Sequence, residues 1–216
     1  MPICKVSRKL PFIPTEEEID ALIAGCGKKT STFLQLLKET GMRAGEANRL
    51  EWIDIDESNR TITLNNPEKN SNPRIFKVTS KLIDMLNALP KTNQRVFGEG
   101  TTYHRKGPFY RTRKLMAKKL QNPRLLKISF HTLRHWKATM LYHETKDPIC
   151  VKEFLGHRKL DTTLLYIQLA EKLFQGATDE FTVRIAREPE EIKALLEVGF
   201  EYICEKDGTL FFRKRK

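Results

Sequence analysis

The sequence predicts a mainly helical α+β domain that carries one small three-stranded antiparallel sheet. Helical apolar patterning covers residues 80 to 89 and most of 108 to 173, with breaks only near Asn122-Pro123, Asp147-Pro148 and Gly156. Between these helices and an N-terminal helical stretch lie three short apolar runs, Trp52, Ile53 and Ile55, then Thr61 to Leu64, then Ile75, Phe76 and Val78. Turn-forming residues separate them at Asp56 to Arg60 and Asn65 to Pro73. The chain's 216 residues suffice for one well-cored domain with an appendage and are too few for two full-sized cores.

Taken in order, residues 1 to 13 form a short basic leader. Pro14-Thr15 followed by Glu16, Glu17 and Glu18 marks a capped helix start with acids in its first turn, and the helix runs from about 15 to 24. Gly25 and Gly27 end it, and Phe33, Leu34, Leu36 and Leu37 give the next helix an apolar face that stops at Gly41. The chain then turns sharply before Arg43, and residues 44 to 50 suit a short helix. The turn between the second and third strands, NNPEKNSNP, projects Lys69 from a hairpin tip. Beyond Phe181 the pattern changes to a strand (FTVRIA), a helix from Pro189 to Glu197, and two strands around Asp207-Gly208.

The formal charge of +12 favours a polyanionic partner. Its location narrows the choice. No acid lies between Glu99 and Glu144, while Arg105, Lys106, Arg111, Arg113, Lys114, Lys118, Lys119, Arg124, Lys127, Arg134 and Lys137 all fall within that stretch. From Asp179 onward acids and bases nearly cancel, so the first 178 residues carry the whole surplus. No apolar run approaches the roughly 20 residues that span a bilayer, and no apolar signal segment opens the chain, so a soluble, cytoplasmic protein without a membrane partner is expected. Cys4, Cys26, Cys150 and Cys204 are scattered, without a CxxC pair or a His-Cys cluster, and read as free thiols rather than metal ligands.

Four stretches carry candidate chemistry: TGMRAGE at 40 to 46, the Lys69 hairpin, HTLRH at 131 to 135, and LGHRKLDTTLLY at 155 to 166. Each alone has an ordinary reading. Tyr166 suits an amphipathic core position between Leu165 and Ile167, His157 simply follows a Gly helix stop, and HTLRH suits a surface helix. Their joint order is more specific: H-x-x-R from His131 to Arg134, an L-G-H whose His157 lies 26 residues after His131, and Tyr166 nine residues after that. Tyr103, Tyr110, Tyr142 and Tyr202 lack this offset and are expected to pack or to lie on the surface that meets the polyanionic partner.

Together these stretches resemble the tyrosine recombinase family of phage integrases and Xer recombinases, over most of residues 14 to 170. The resemblance implies a tyrosine recombinase catalytic domain at 14 to 175 and a C-terminal extension at 176 to 216 similar to that of archaeal-type integrases. Family members place a helical core-binding domain ahead of the catalytic one, and with thirteen residues before Pro14 that domain is expected to be absent. Carried over residue by residue, Arg43 and Arg134 match the two catalytic arginines, His131 and His157 the two histidines, and Tyr166 the nucleophile. Glu46 matches the acid that supports the first arginine. Lys69 matches the catalytic lysine through a K-x-x-x-x-R pattern ending at Arg74, although Asn70 stands where a Gly is usual, and Lys77 is the reserve candidate.

The chemistry asks for these residue types. A phenolate attacking a phosphodiester adds negative charge to the nonbridging oxygens, which two Arg forks suit better than Lys. Ser129 is placed to cap a helix whose first turn holds His131. A Tyr that titrates near 10 needs a base or cationic neighbours, and the leaving 5′-oxygen needs a proton; His131 suits the first task and Lys69 the second. The resemblance implies a 3′-phosphotyrosine intermediate, with no metal and no cofactor, and hence site-specific recombination or viral genome integration. A type IB topoisomerase-like enzyme and a non-catalytic DNA-binding remnant are the alternatives. The expected partner is double-stranded DNA, contacted by Arg74, Arg105, Arg111, Arg113, Lys114, Lys118 and Lys119. The expected assembly is a homo-oligomer on DNA, a dimer or tetramer, that is monomeric when free and associated with the nucleoid of its own or a host cell. Apolar residues on more than one side of the Tyr166 helix, opened by Asp161-Thr162-Thr163, suggest that residues after about 170 make the protomer contacts.

Overall fold

A computed structural model describes residues 10–174, 181–206 and 208–215. The leader's residues 1–9 with Cys4, the stretch 175–180, Asp207 of the last predicted turn and Lys216 lie outside the described residues. The chain divides into two compact units, Met1–Ala170 and Glu171–Lys216.

In the first unit, helix α1 (Glu16–Gly25) opens on the expected cap. The Glu18 carboxylate accepts the Thr15 N–H at 2.9 Å, and the Thr15 hydroxyl accepts the Glu18 N–H at 3.3 Å. Glu18 also holds Arg124 and Asn122, which pins a 3-10 turn (Pro123–Lys127) against the start of the domain. Helix α2 (Lys28–Thr40) lies at the centre, and its Phe33, Leu34, Leu36 and Leu37 are buried. Thr32, Gln35, Lys38 and Thr40 are buried as well, so α2 is covered on nearly every side. Lys38 is admitted to this interior by Asp20 at 2.6 Å and Glu16 at 2.8 Å. Phe33 meets Phe97 and Phe130 edge-on, at centroid distances of 5.0 and 5.3 Å.

After α3 (Ala44–Asn48), the first predicted strand is largely a 3-10 turn. Trp52–Asp54 coils, because the Asp54 carboxylate accepts the Glu51 N–H at 3.0 Å, and only Ile55–Asp56 extends as strand β1. Strands β2 (Thr61–Leu64) and β3 (Arg74–Lys77) complete an antiparallel sheet in the order β1-β2-β3, with Ile62 opposite Phe76 and Leu64 opposite Arg74. Helix α4 (Ser80–Asn87) follows. Helix α5 (Thr102–Lys119) starts six residues earlier than Pro108, where the pattern placed its beginning. Pro108 is accommodated inside the helix, where it donates no N–H to the preceding turn.

Helices α6 (Phe130–Thr145), α7 (Pro148–Leu155) and α8 (Asp161–Phe174) then pack around Ala138, Val151, Leu155, Tyr166 and Leu169. Helix α8 opens with the Leu160 carbonyl receiving the Thr163 and Leu164 N–H groups, so that Asp161 is already helical. The side chain of Thr162 lies outside the description.

The second unit contains β4 (Phe181–Ala186), α9 (Pro189–Glu197), β5 (Glu201–Lys206) and β6 (Thr209–Arg215). Its sheet has the order β4-β6-β5, wholly antiparallel, with a bulge between Tyr202 and Cys204 and with Phe212 and Ala186 buried. Cys26, Cys150 and Cys204 are free thiols. Among the described residues no helix is long and apolar enough to cross a membrane.

Candidate active site

Two left-handed glycines deliver the site residues. Gly41 (φ 59°) ends α2 and Gly156 (φ 69°) ends α7, and each launches a functional residue within two positions, Arg43 and His157. The carbonyls left over at these helix ends face a cluster of arginines. Arg134, only 2% exposed, donates from Nη1 to the Gly41 carbonyl at 2.8 Å and from Nη2 to the Leu155 carbonyl at 2.9 Å. Its Nη2 also contacts His157 Nε2 at 3.1 Å. A guanidinium can only donate, so that nitrogen is the acceptor and the proton of a neutral His157 sits on Nδ1, which meets the Thr163 hydroxyl at 3.1 Å.

Arg43 stands just ahead of α3, and its guanidinium bonds run through Nη1: to the Glu46 carboxylate at 2.9 Å, the Ser71 hydroxyl at 2.7 Å and the Glu68 carbonyl at 3.2 Å. Among the described residues its Nε and Nη2 bond no protein group, and Arg43 lines the adjoining cleft. Glu46 is buried and accepts further bonds from the Arg43 N–H at 2.8 Å, the Glu68 N–H at 3.0 Å and Arg74 Nη2 at 3.0 Å. Burial pushes its carboxyl up, but the Arg43 N–H, the Arg74 guanidinium and the Glu68 N–H together outweigh it, and the group lies below the usual carboxylate value. The acid therefore organises α3, the lysine hairpin and β3 around one charge.

One cleft is lined by Arg43, Glu68, Lys69 and His131 together with Lys106 and Tyr110 of α5. Lys69 and Asn70 both adopt left-handed backbone (φ 54° and 53°), so Asn70 takes up a conformation that a Gly would adopt freely and that Asn tolerates better than most residues. Lys77 occupies an exposed position of β3, on the strand face opposite Arg74, and is not among the residues that line the cleft. Ser129 caps α6 as expected, its hydroxyl accepting the Thr132 N–H at 3.3 Å. Burial first, then the charges of Arg134, Lys69 and Arg43, hold the His131 imidazole below its ordinary value.

Tyr166 is 4% exposed and lies with its ring parallel to that of His157, centroids 6.4 Å apart. Burial raises its phenol, against the lowering pull of Arg134 and then Arg43. Burial pushes Arg134 down to about 10 and His157 down to about 4, so Arg134 is charged and His157 neutral near pH 7. The hydroxyl of Tyr166 meets His135 Nδ1 at 3.2 Å. The sequence motifs assign no role to this histidine and pair the phenol with His131 instead. The available signal was the H-x-x-R-H spacing, which sets His135 one turn beyond His131 on the same helix face; the two rings stand 4.4 Å apart.

The expected DNA-contacting cations separate into two groups. Arg74 is buried, bonded to Glu46, to the Leu155 carbonyl at 2.8 Å and to the Asn72 carbonyl at 3.2 Å, so it holds the site together and presents nothing to DNA. Arg113 is turned inward, donating to the Ile128 carbonyl and lying over Tyr110 at 4.6 Å. Arg105 is bonded to Asn48 at 3.1 Å and packed over Phe97. Long aliphatic stems let both serve as packing residues. Arg111, Lys114, Lys118 and Lys119 are exposed on α5, and Lys106 joins the cleft directly.

Residues 14–172 match the model of the phage integrase family. The tyrosine recombinase XerA of Saccharolobus solfataricus is 30% identical over 170 residues, covering 78% of this chain and 56% of that protein. The crystal structure of a XerA recombinase superposes with a TM-score of 0.62 at 21% identity, over 79% of this chain and 66% of that one. A Tn1549 transposon integrase in complex with transposon right end DNA gives a TM-score of 0.61 at 20% identity, over 80% and 67%. The likeness to these two structures is one of fold. The chain spans less than two thirds of the length of curated relatives that it matches, from 43% to 65%.

Proposed function

This chain belongs to the phage integrase family, and from that premise we propose that it cuts and rejoins DNA at specific sites through a 3′-phosphotyrosine on Tyr166. The observation that carries the proposal is the convergence of sequence-distant residues on one cationic centre. Arg134 touches His157, His157 stacks on Tyr166, and Arg43, Lys69 and His131 line the adjoining cleft. Attack by Tyr166 Oη forms an Oη–P bond and breaks the P–O5′ bond. Arg43 and Arg134 neutralise the nonbridging oxygens, three of the five N–H donors of Arg134 being held by Gly41, Leu155 and His157 and two remaining for phosphate. Lys69 protonates the leaving 5′-oxygen. Because the ester energy stays in the phosphotyrosine, religation is the same transfer in reverse.

In this reading residues 14 to 175 are the catalytic domain, double-stranded DNA is the substrate, and the exposed α5 lysines track its backbone. Protomers gather as dimers or tetramers on DNA and separate when free, in the cytoplasm of the cell whose DNA is rearranged. The test is covalent capture from a randomised library of nicked duplexes, in which loss of the short cleaved fragment traps the adduct. Wild type is expected to yield a denaturant-stable adduct, and Tyr166→Phe none, with duplex affinity within about threefold of wild type because one hydroxyl is lost and little packing. An adduct at wild-type level from Tyr166→Phe overturns the assignment.

A further inference from the structure

We propose that His135 is a further catalytic residue of this site, the group that takes the phenolic proton of Tyr166 as the tyrosine attacks. The proposal rests on the reading of Tyr166 as nucleophile and moves a role first given to His131 one helical turn along α6. The step balances without an added reactant. The Tyr166 proton passes to His135 Nδ1 as the Oη–P bond forms, and the 5′-oxygen receives a separate proton from Lys69 as the P–O5′ bond breaks.

The geometry favours His135 over His131. Its Nδ1 lies 3.2 Å from the Tyr166 hydroxyl, within range for direct proton transfer, and the ring centroids are 5.8 Å apart. With Tyr166 only 4% exposed, bulk water is a poor competing acceptor. His131 instead lies at the exposed start of α6 and lines the cleft with Arg43 and Lys69, where a phosphate would be met.

The titratable and charged groups around His135 are His131 and Arg134 on its own helix and Tyr166 on α8, with His157 stacked beyond Tyr166. Burial, then the His131 and Arg134 charges, push its imidazole down to about 4, so it is neutral at working pH and has a lone pair for the phenol when its proton sits on Nε2. A phosphorus in line with Oη, about 3 Å away, brings the scissile oxygens within about 6 Å of the imidazole. Their negative charge opposes that of Arg134 and raises the proton affinity of His135 when the substrate is bound. The base is thus weak in the free protein and strengthened by the molecule on which it acts.

The test uses the full chain and a nicked suicide duplex taken from the wild-type capture. Single-turnover adduct formation is followed from pH 6 to 9 for wild type, His135→Asn and His131→Asn, with duplex affinity and melting temperature measured in parallel. His135→Asn keeps a polar group at the Nδ1 position and cannot take a proton. It is expected to cleave about 100-fold more slowly at pH 7 and to recover about tenfold per pH unit as hydroxide replaces the missing base, with unchanged duplex affinity. His131→Asn is expected to be slower while keeping the wild-type pH profile. Should His135→Asn fold poorly, His135→Gln is read by the same pH slope.

The proposal is overturned by a His135 variant within threefold of wild type or faster, by one slowed equally at every pH, or by a steep slope in His131→Asn instead. If the wild type captures no duplex, or Tyr166→Phe still forms adduct, the reading of Tyr166 fails and takes this proposal with it. Adduct lost in Tyr166→Phe but unaffected by His135→Asn refutes this inference alone.

Discussion

Glu46→Ala should destabilise the first unit more than the loss of a surface ion pair could. The carboxylate is fully buried, with Arg43 at 2.9 Å and Arg74 at 3.0 Å, and it also accepts the backbone N–H groups of Arg43 and Glu68. Arg74 is itself 4% exposed, so removal of Glu46 leaves a guanidinium in the interior with only the Leu155 and Asn72 carbonyls. Removing one partner of a buried pair costs about 3–5 kcal/mol. In a domain of this size each kcal/mol lowers the melting temperature by about 2–4 °C, which gives a drop of about 6–20 °C by circular dichroism at pH 7.5. Glu46→Gln keeps the volume but points an amide N–H at a cation, and should show at least half of that loss. Because the folded-state carboxyl is depressed below its ordinary 4.5, its stabilisation is complete above that pH and fades as pH falls through the folded-state value. The gap between wild type and Glu46→Gln should therefore narrow below about pH 4. Melting temperatures within about 2 °C of wild type for both variants, or a gap constant from pH 7 to 3.5, refute this account of the charge cluster.

Replacing Arg111, Lys114, Lys118 and Lys119 together should weaken binding to every duplex and reduce the slope of log affinity against log salt by about 0.9 for each phosphate that is no longer neutralised, as read in a salt titration. An unchanged slope shows that this face of α5 looks away from DNA. Arg113→Ala should behave differently, lowering the melting temperature while leaving the salt slope alone, because its guanidinium is committed to the Ile128 carbonyl and to Tyr110. Adduct formation should proceed at wild-type rate in EDTA, since side-chain cations supply the charge that a metal would otherwise bring; strict dependence on added Mg²⁺ rules out the proposed chemistry. Truncation after Gln175 should leave a folded protein that binds single sites and fails to form multimers on DNA, as measured by native gel shift. Leu164 and Leu173 of α8 are 43% and 51% exposed, which suits a protomer contact. Normal assembly by the truncated protein excludes that role.

What the sequence reveals is governed by how local the physics is. The cap of α1 and the glycine stops at 41 and 156 are legible because each needs particular residues within four positions of one another. The clustering of Arg43, Lys69, His131, Arg134, His157 and Tyr166 could be anticipated only from the motif spacing, since nothing in any one stretch says what it will meet. The facing of the α5 cations was illegible. Bases occur all round that helix, so no polar stripe distinguishes Arg113 and Arg105, whose stems pack inward, from Lys114 and Lys118. Arg74 misled for a related reason, because alternation along β3 places it at a buried position although its charge argues for the surface. Trp52 to Ile55 reads as a strand by apolar content, and the competing pull of Asp54 on the Glu51 N–H becomes visible only in the folded chain.

The fold also explains why the site glycines stand so close to the site residues. A helix ends with carbonyls that have no partner in their own ladder, and a left-handed residue just beyond turns the chain away and leaves them facing outward. At the end of α2 the carbonyl is that of Gly41, and at the end of α7 it is that of Leu155, which serves Arg74 and Arg134 together. A side chain at Gly156 would collide with the Arg74 guanidinium, so the same residue both allows the turn and clears room for the cation it helps to hold. The negative ends of two helices thus help to keep arginines packed side by side. The balance is incomplete in charge terms: Arg43 and Arg74 share the carboxylate of Glu46 beside Arg134, and the cleft adds Lys69 and Lys106 against Glu68, which is itself paired with Arg49. Carbonyl dipoles reduce the repulsion among these cations without cancelling it. The excess positive charge is what an entering phosphodiester would neutralise, and it would do so most completely when attack places further charge on its nonbridging oxygens.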